Sequence, residues 1–309
     1  IARTRVFFYG RFTDWFTTLL RVGATNNGNV RFEQVYADFS WRNFTLRVGQ
    51  WYLNLFQEQF LSPDSTLTIN PSAVGGVFDG GQVQGAQVWW DLPKTRFQLA
   101  TSNGARSAFA EVGTPAVADI AFSARVQTIL GDSGYARFST GSSFRGEGVA
   151  VLFGASGHYQ IGGGGDAPGV EIAQGSTDLS LEYQGFNLHT SIGISWVDAP
   201  DEDPLATLGF VTQGGIFIFD WTELYLRFEA LASESKTESG VRNQTPLFTG
   251  VTGGFNQYFW PERGIRLQAD CVYYPTGTEG TLITPNANAG LLLAPDSQWS
   301  FRVQLNLPF

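Results

Sequence analysis

The residues best placed to do chemistry in this chain are arginines. Arg47, Arg125, Arg227, Arg266 and Arg302 each take the polar position in an alternating stretch, beside Phe44/Leu46/Val48, Ile120/Phe122/Ala124/Val126, Leu224/Leu226/Phe228, Ile265/Leu267/Ala269 and Trp299/Phe301/Val303. Period two sends successive side chains to opposite faces of a strand, so these arginines share the face opposite the apolar residues. The same rule places Arg3, Arg5, Arg21 and Arg96 there, together with the carboxylates Asp178, Glu182, Glu229 and Asp270. A wall of guanidinium groups around confined water attracts small anions. Matched one to one with carboxylates, the same wall becomes a set of ion pairs that stabilises a wet interior. Alternation leaves both readings open.

Catalytic chemistry is sparse. His158 and His189 both fall on the polar face but near opposite ends of their strands, so they are not expected to work together. A hydrolytic site would need a nucleophile beside one of them, and no nucleophile motif accompanies His158. The run Gly162-Gly163-Gly164-Gly165 lacks the Lys-Ser/Thr that completes a phosphate loop. Cys271 is the one cysteine, which excludes an internal disulfide or a cysteine-rich metal site. Neither cofactor nor metal is expected, and the chain is not expected to be an enzyme.

The elements that position these residues are strands. Those expected are Ala2–Phe12, Trp15–Ala24, Val30–Ser40, Phe44–Trp51, Val83–Leu92, Thr95–Ser102, Ile120–Leu130 and Gly148–Gln160 in the first half. In the second half they are Thr177–Gln184, Leu188–Val197, Thr207–Phe219, Thr222–Ala232, Pro246–Trp260, Ile265–Tyr274 and Ser297–Leu307. Asn, Asp, Gly and Pro mark the turns because they supply positive φ or fix it near −65°. Aromatics at 15%, Gly 37 and only 15% charged residues agree with an all-β chain of many tight turns.

No stretch approaches the roughly 20 apolar residues of a spanning helix, and mean hydropathy is −0.07. Yet the strands carry one apolar face, with no helices to cover it. That face is expected to meet lipid, in a transmembrane antiparallel β-barrel formed by residues 1–309 as one domain. A net charge of −9 argues against nucleic acid as a partner.

Connections alternate short and long, as inner turns and outer loops do in such barrels. Counting back from Phe309 puts Tyr52–Gly81, Asn103–Ala118, Ile161–Ser176, Asp198–Ala206, Ser233–Thr245 and Pro275–Asp296 outside. Glu202, Asp203, Glu234 and Glu238 then belong to outer loops. Asn26–Asn29 is a short outer loop and 131–147 a long inner connection. Barrels of this class close with an even number of strands, so sixteen are expected. Either one strand precedes Ile1, the chain being mature or incomplete at its front, or Tyr135–Gly141 is a strand. Tyr52–Gly81 is long for a loop, and such loops are usually functional. Folded inward it would narrow the channel, with Glu58, Gln59, Asp64 and Asp79 available to face the arginines; the alternative is an outer lid. Phe56, Phe60 and Leu61 require burial in either case.

Several motifs carry a resemblance. Arg3-Thr4-Arg5-Val6 with Thr13-Asp14-Trp15, and Arg47-Val48-Gly49-Gln50 leading through Phe56-Gln57-Glu58 to Ser62, resemble the phosphate-selective porin O and P family. So do Gly85-Ala86-Gln87, Thr101-Ser102-Asn103-Gly104, and the hairpin from Gly254-Phe255-Asn256-Gln257-Tyr258-Phe259 to Arg266-Leu267-Gln268-Ala269-Asp270. The resemblance implies a homotrimeric, sixteen-stranded porin of a Gram-negative outer membrane, with an arginine-lined channel and an infolded third loop. Phe309 is similar to the aromatic end that outer-membrane insertion recognises. Two departures are the family's first strand, not found here, and its lysine clusters, since only Lys94 and Lys236 occur. The expected function is passive diffusion of small hydrophilic solutes, with an anion preference from the inward arginines. The alternatives are a barrel hydrolase of lipid or peptide using His158 and a structural barrel with a plugged lumen.

Overall fold

The computed structural model describes residues 3–306 except 26–29, 62–64, 107–117, 132, 165–166, 201, 237–241, 245–246, 260–264, 280, 284–290 and 295. Its sheet is one antiparallel meander. The strands are β1 (Arg3–Arg11), β2 (Phe16–Thr25), β3 (Val30–Trp41), β4 (Phe44–Tyr52), β5 (Gln82–Asp91), β6 (Thr95–Ser102), β7 (Ile120–Gly131) and β8 (Ala150–Ile161). They continue as β9 (Glu171–Tyr183), β10 (Phe186–Asp198), β11 (Leu205–Phe219), β12 (Thr222–Lys236), β13 (Phe248–Tyr258), β14 (Arg266–Tyr274) and β15 (Gln298–Asn306). Each pairs with the next in chain order, and the three-residue segment Arg242–Gln244 adds to β12 as the sixteenth strand of the sheet. No described helix is long and apolar enough to cross a membrane, which leaves crossing by strands untouched.

Every expected strand is present, with some shifted ends. β9 begins at Glu171, inside the stretch expected to be a loop. β12 runs to Lys236, which places Glu234 on a strand instead of in an outer loop. Tyr135–Ser139 is a 3-10 helix, so that stretch supplies no strand. The strand expected ahead of Ile1 lies outside the described residues, as do Pro308 and Phe309. With fifteen strands in the meander, β1 and β15 run in the same direction. Bonding them directly would make a parallel pair, and antiparallel closure takes a strand running opposite to both.

Register separates two faces. Arg47 lies opposite Asp38 and Gln87, Arg125 opposite Gln98 and Ser156, and Asp270 opposite Arg302 and Gly254. The apolar alternates point the other way and are exposed, from Val48 and Phe122 to Leu226 and Phe301, the last at 80%. Cys271, opposite Phe301, belongs to that outer face. The buried core therefore sits inside the curled sheet. Its largest cluster joins Phe56, Val74 and Phe78 of segment 53–81 and Ile283 and Leu291 of the β14–β15 connection to Val211, Leu231, Phe248, Val272 and Tyr274.

Candidate functional site

Segment 53–81 leaves β4, makes a 3-10 turn at Gln57–Phe60 and a short helix α1 (Ala73–Val77), then returns to β5. Its backbone polar groups need partners once water is removed, and the inward arginines supply them. Arg125 donates from Nη1 to the Leu55 carbonyl at 2.6 Å. Arg227 donates to the Asn70 carbonyl and the Thr68 hydroxyl, both at 2.8 Å. Arg266 donates to the Thr66 carbonyl at 2.9 Å. Asn256 and Gln268 hold the Leu67 carbonyl at 3.0 and 3.2 Å. Because inward residues of β7, β12, β13 and β14 reach one segment, the sheet must curl around it into a barrel.

The acidic and amide residues expected on this segment have distinct roles. Glu58 accepts from the Ser72 amide at 2.7 Å and its hydroxyl at 2.5 Å, and lies 3.8 Å from Arg227. Glu229 accepts from the Val74 amide at 3.0 Å and lies 3.6 Å from Arg227. One buried guanidinium thus sits between two carboxylates that clamp α1. Gln59 turns back on its own segment, accepting from the Leu55 and Phe56 amides at 2.7 and 3.0 Å. Asp79 accepts from the Gly81 amide at 2.9 Å, at the exit of the segment. Its carboxyl is held above the ordinary value by burial, partly offset by that amide and by Arg106. Neither Gln59 nor Asp79 faces the arginines of the wall. Asp64 lies outside the described residues.

The inner connection between β7 and β8 also turns inward, which the sequence reading did not find. Gly141 donates to the Ser65 carbonyl at 2.7 Å and Phe138 accepts from Gln57 at 3.4 Å. Arg137 meets Glu182 at 2.7 Å. Ser142 donates to Glu223 at 2.6 Å, and Phe144 packs with Phe217 and Tyr258. Between the two infolded segments and β9–β11 lies a cavity of about 30 Å³ bordered by Gln57, Glu58, Ser180, Glu182, His189 and Gln213. That is room for about two water molecules.

The inward arginines divide into two sets. Arg125, Arg227 and Arg266 are sealed beneath segment 53–81. Arg5, Arg21 and Arg47 on β1, β2 and β4 keep 13–16% of their side-chain surface, and Arg96 keeps 30%. Arg302 on β15 keeps 8% of its side-chain surface, and Arg3 shares the alternation of Arg5 but its side chain is not described. Carboxylates meet both sets. Arg47 forms a two-pronged bridge to Asp38 at 2.8 Å, Arg302 one to Asp270 at 2.7 Å, and Arg125 meets Asp178 at 2.8 Å. Arg96 pairs with Asp91, and Arg5 and Arg21 share Glu33 at 2.7 and 2.8 Å. Asp38, Asp91 and Glu223 could have been collected by the same alternation that found the arginines. Glu33 could not, because a register irregularity between Arg21 and Val22 displaces that part of β3.

Hydrolytic chemistry finds no support in the geometry around His158. Its Nδ1 is 2.8 Å from the Ser123 hydroxyl, but Nε2 meets the Gln160 side-chain oxygen at 2.9 Å and all three residues are buried. Among the described residues no carboxylate orients the ring, and the Ser123 hydroxyl is buried. His189 is bracketed by Ser180 and Ser191 at 2.9 and 2.8 Å.

No protein-family model matches the chain, and no curated protein sequence is similar to it. Solved structures are similar in fold. An anion-selective porin from Comamonas acidovorans superposes with a TM-score of 0.64 at 10% identity, over 99% of this chain and 89% of that one. OmpT of Vibrio cholerae, in a trimer form, gives 0.59 at 11% identity over 99% and 90%. The outer membrane channel DcaP of Acinetobacter baumannii gives 0.56 at 14% identity over 98% and 83%. The fold is that of outer-membrane β-barrels.

Proposed function

We propose that this chain is an outer-membrane porin through which small hydrophilic solutes diffuse passively, and that it works without catalysis. The observation that carries this reading is the asymmetric filling of the barrel. Segment 53–81 seals the inward faces of β7 and β12–β14 while Arg21, Asp38 and Arg47 on β2–β4 keep contact with water. A constriction narrowed from one side leaves a charged strip along the other, and such a strip sorts solutes by size and charge. The outward apolar faces would meet outer-membrane lipid, at a low energetic cost compared with the roughly 2–4 kcal/mol for a cationic side chain at mid-bilayer.

Within the porin class, the likeness to the phosphate-selective O and P family rests on sequence motifs, and the lysines do not add to it. Lys94 donates to the Gly131 carbonyl at the inner rim. The carboxylate partners of Arg47, Arg96 and Arg302 reduce the pull of an arginine ladder, so the anion preference is modest. Homotrimeric assembly is supported by the trimer form of the Vibrio cholerae protein. Single-channel recording in planar bilayers, with reversal potentials under a salt gradient, tests the reading. Steady conductance with a weak anion preference is expected. Clear cation selectivity would end the anion version, and a silent membrane containing folded protein would favour the plugged barrel, to which the apolar cluster around Phe56 and Phe78 already lends weight.

A further inference from the structure

The exit of segment 53–81 is held by a residue outside it. Arg106, in the connection between β6 and β7, donates from Nη2 to the Gly76 carbonyl at 2.7 Å and from Nε to the Asp79 carbonyl at 3.0 Å. Its backbone amide donates to the Gly80 carbonyl at 2.7 Å. The last carbonyls of a helix have no partner within it, and a basic side chain nearby can close them. Here one side chain serves both the last turn of α1 and the stretch that leads from it to β5. Gly76 and Arg106 are exposed, whereas Val74 and Phe78 are buried in the large apolar cluster. The hold therefore lies on the water-facing side of the segment.

The backbone of Arg106 sets this residue apart. Its φ is +60°, in the left-handed region that glycine enters freely and a residue with a Cβ does not. Arg42 and Gln184, the other non-glycine residues with positive φ among those described, sit in the short turns between β3 and β4 and between β9 and β10. No hairpin turn asks for the conformation at Arg106, and such outliers persist where the surroundings hold them. Here it aims the amide and the guanidinium at one stretch, 76–80. Neighbouring residues fix the base of the hold. The Ala105 amide donates to the Gln160 side chain of β8 at 2.8 Å, and Asn103 exchanges hydrogen bonds with the Gln84 backbone of β5 at 2.8 and 2.9 Å.

The Leu53 amide donates to the Gly81 carbonyl at 2.8 Å, so the entry and the exit of the segment meet above the β4–β5 ladder. β4 also carries Arg47, which keeps contact with water beside Asp38. The exit thus starts next to the open strip. We propose that Arg106 is a positioning residue for the pore, whose guanidinium keeps 76–81 against the β6–β7 connection and out of that strip. The start of α1 is clamped separately, by Glu58 at Ser72 and Glu229 at Val74. Loss of the guanidinium would therefore free the exit alone, and the strip would narrow intermittently. The inference rests on the diffusion reading for its effect on current, whereas the hold itself can be measured separately.

The test uses the full chain in detergent and in planar bilayers, as wild type, Arg106→Gly, Arg106→Gln and Arg106→Lys. Arg106→Gly suits the left-handed backbone and keeps the amide bond to Gly80 while it deletes the guanidinium. Arg106→Lys keeps the charge and a single donor group. Exposure of the side chain means that all three are expected to fold, which heat-shifted mobility on gels checks. Amide hydrogen exchange over 76–81 should rise several-fold in the Gly and Gln variants and less in the Lys variant. Transient reductions of the potassium chloride current should become several-fold more frequent in the same order. An Arg106→Gly variant that exchanges as wild type does would reduce the residue to a turn former and overturn the proposal. A rise in exchange spread over the whole barrel, or faster exchange of the exit with an unaltered current, would overturn it too. If wild type leaves the membrane silent, exchange decides alone: a rise confined to the exit upholds the hold while the diffusion reading fails, and unchanged exchange refutes the hold.

Discussion

Arg125 and Asp178 meet at 2.8 Å from β7 and β9, both almost wholly buried, and the same guanidinium holds the Leu55 carbonyl at 2.6 Å. The pair therefore joins two strands of the wall to the start of the infolded segment. Ser156 and Ser176 donate to the same carbonyl at 2.9 and 2.7 Å, so this one backbone oxygen is the anchor for the entry of segment 53–81.

Removing one partner of a buried pair leaves the other charge uncompensated, which typically costs about 3–5 kcal/mol. Asp178→Ala is expected to lower stability on that scale and to loosen the entry of the segment. Denaturant titration of the folded band, with single-channel conductance on the surviving protein, checks both effects. A variant as stable as wild type would show that Leu55, not Asp178, satisfies Arg125.

Gly193 and Gly209 make room for aromatic side chains of the infolded segment. A Cβ at Gly193 would lie 2.5 Å from Cζ of Phe56, and one at Gly209 would lie 2.3 Å from Cε2 of Phe78 and 2.7 Å from Cγ1 of Val74. Overpacking of this kind costs about 1–3 kcal/mol. Gly209→Val is expected to push α1 off β11 toward the open strip and lower the conductance, and Gly193→Val to do the same at Phe56. Unchanged conductance in both would mean that the segment does not set the pore width.

Ser72 caps α1 by accepting from the Gly75 amide at 2.9 Å and also donates to Glu58. Ser72→Ala removes both bonds. Loss of such a cap costs about 1 kcal/mol, and here it also frees a buried carboxylate oxygen. Limited proteolysis should cut segment 53–81 faster in the variant, with the barrel resistant; equal rates would place the hold on α1 elsewhere.

The pH dependence of the segment follows from Asp79. Burial raises its carboxyl above the ordinary 3.8, against the lesser pull of Gly81 and Arg106. The folded state then holds the proton more tightly than the unfolded state, so stability declines as pH rises from the ordinary value through the raised one. Asp79→Asn should flatten that decline. Equilibrium unfolding across this pH window, wild type against variant, measures it, and a parallel decline in both would remove Asp79 from the account.

Much of the wall was legible in the sequence because alternation acts locally. Arg302 and Asp270 were both assigned inward from their apolar neighbours, and they form a two-pronged bridge. A bulge breaks the same rule within a few residues, and Glu33 was lost for that reason. The beginning of β9 was also missed, since Glu171–Ser176 follows a glycine-rich run and does not alternate as the later part does.

The sequence by itself determined the strands, their two faces and the unequal lengths of their connections, because each of these is settled by neighbours in the chain. Only the tertiary structure decided what fills the barrel. Arg227 finds Asn70, and Arg266 finds Thr66, across separations of 157 and 200 residues. No periodicity encodes such meetings. They follow from the curl of the sheet, which brings distant strands around a segment whose backbone must find hydrogen bonds away from water.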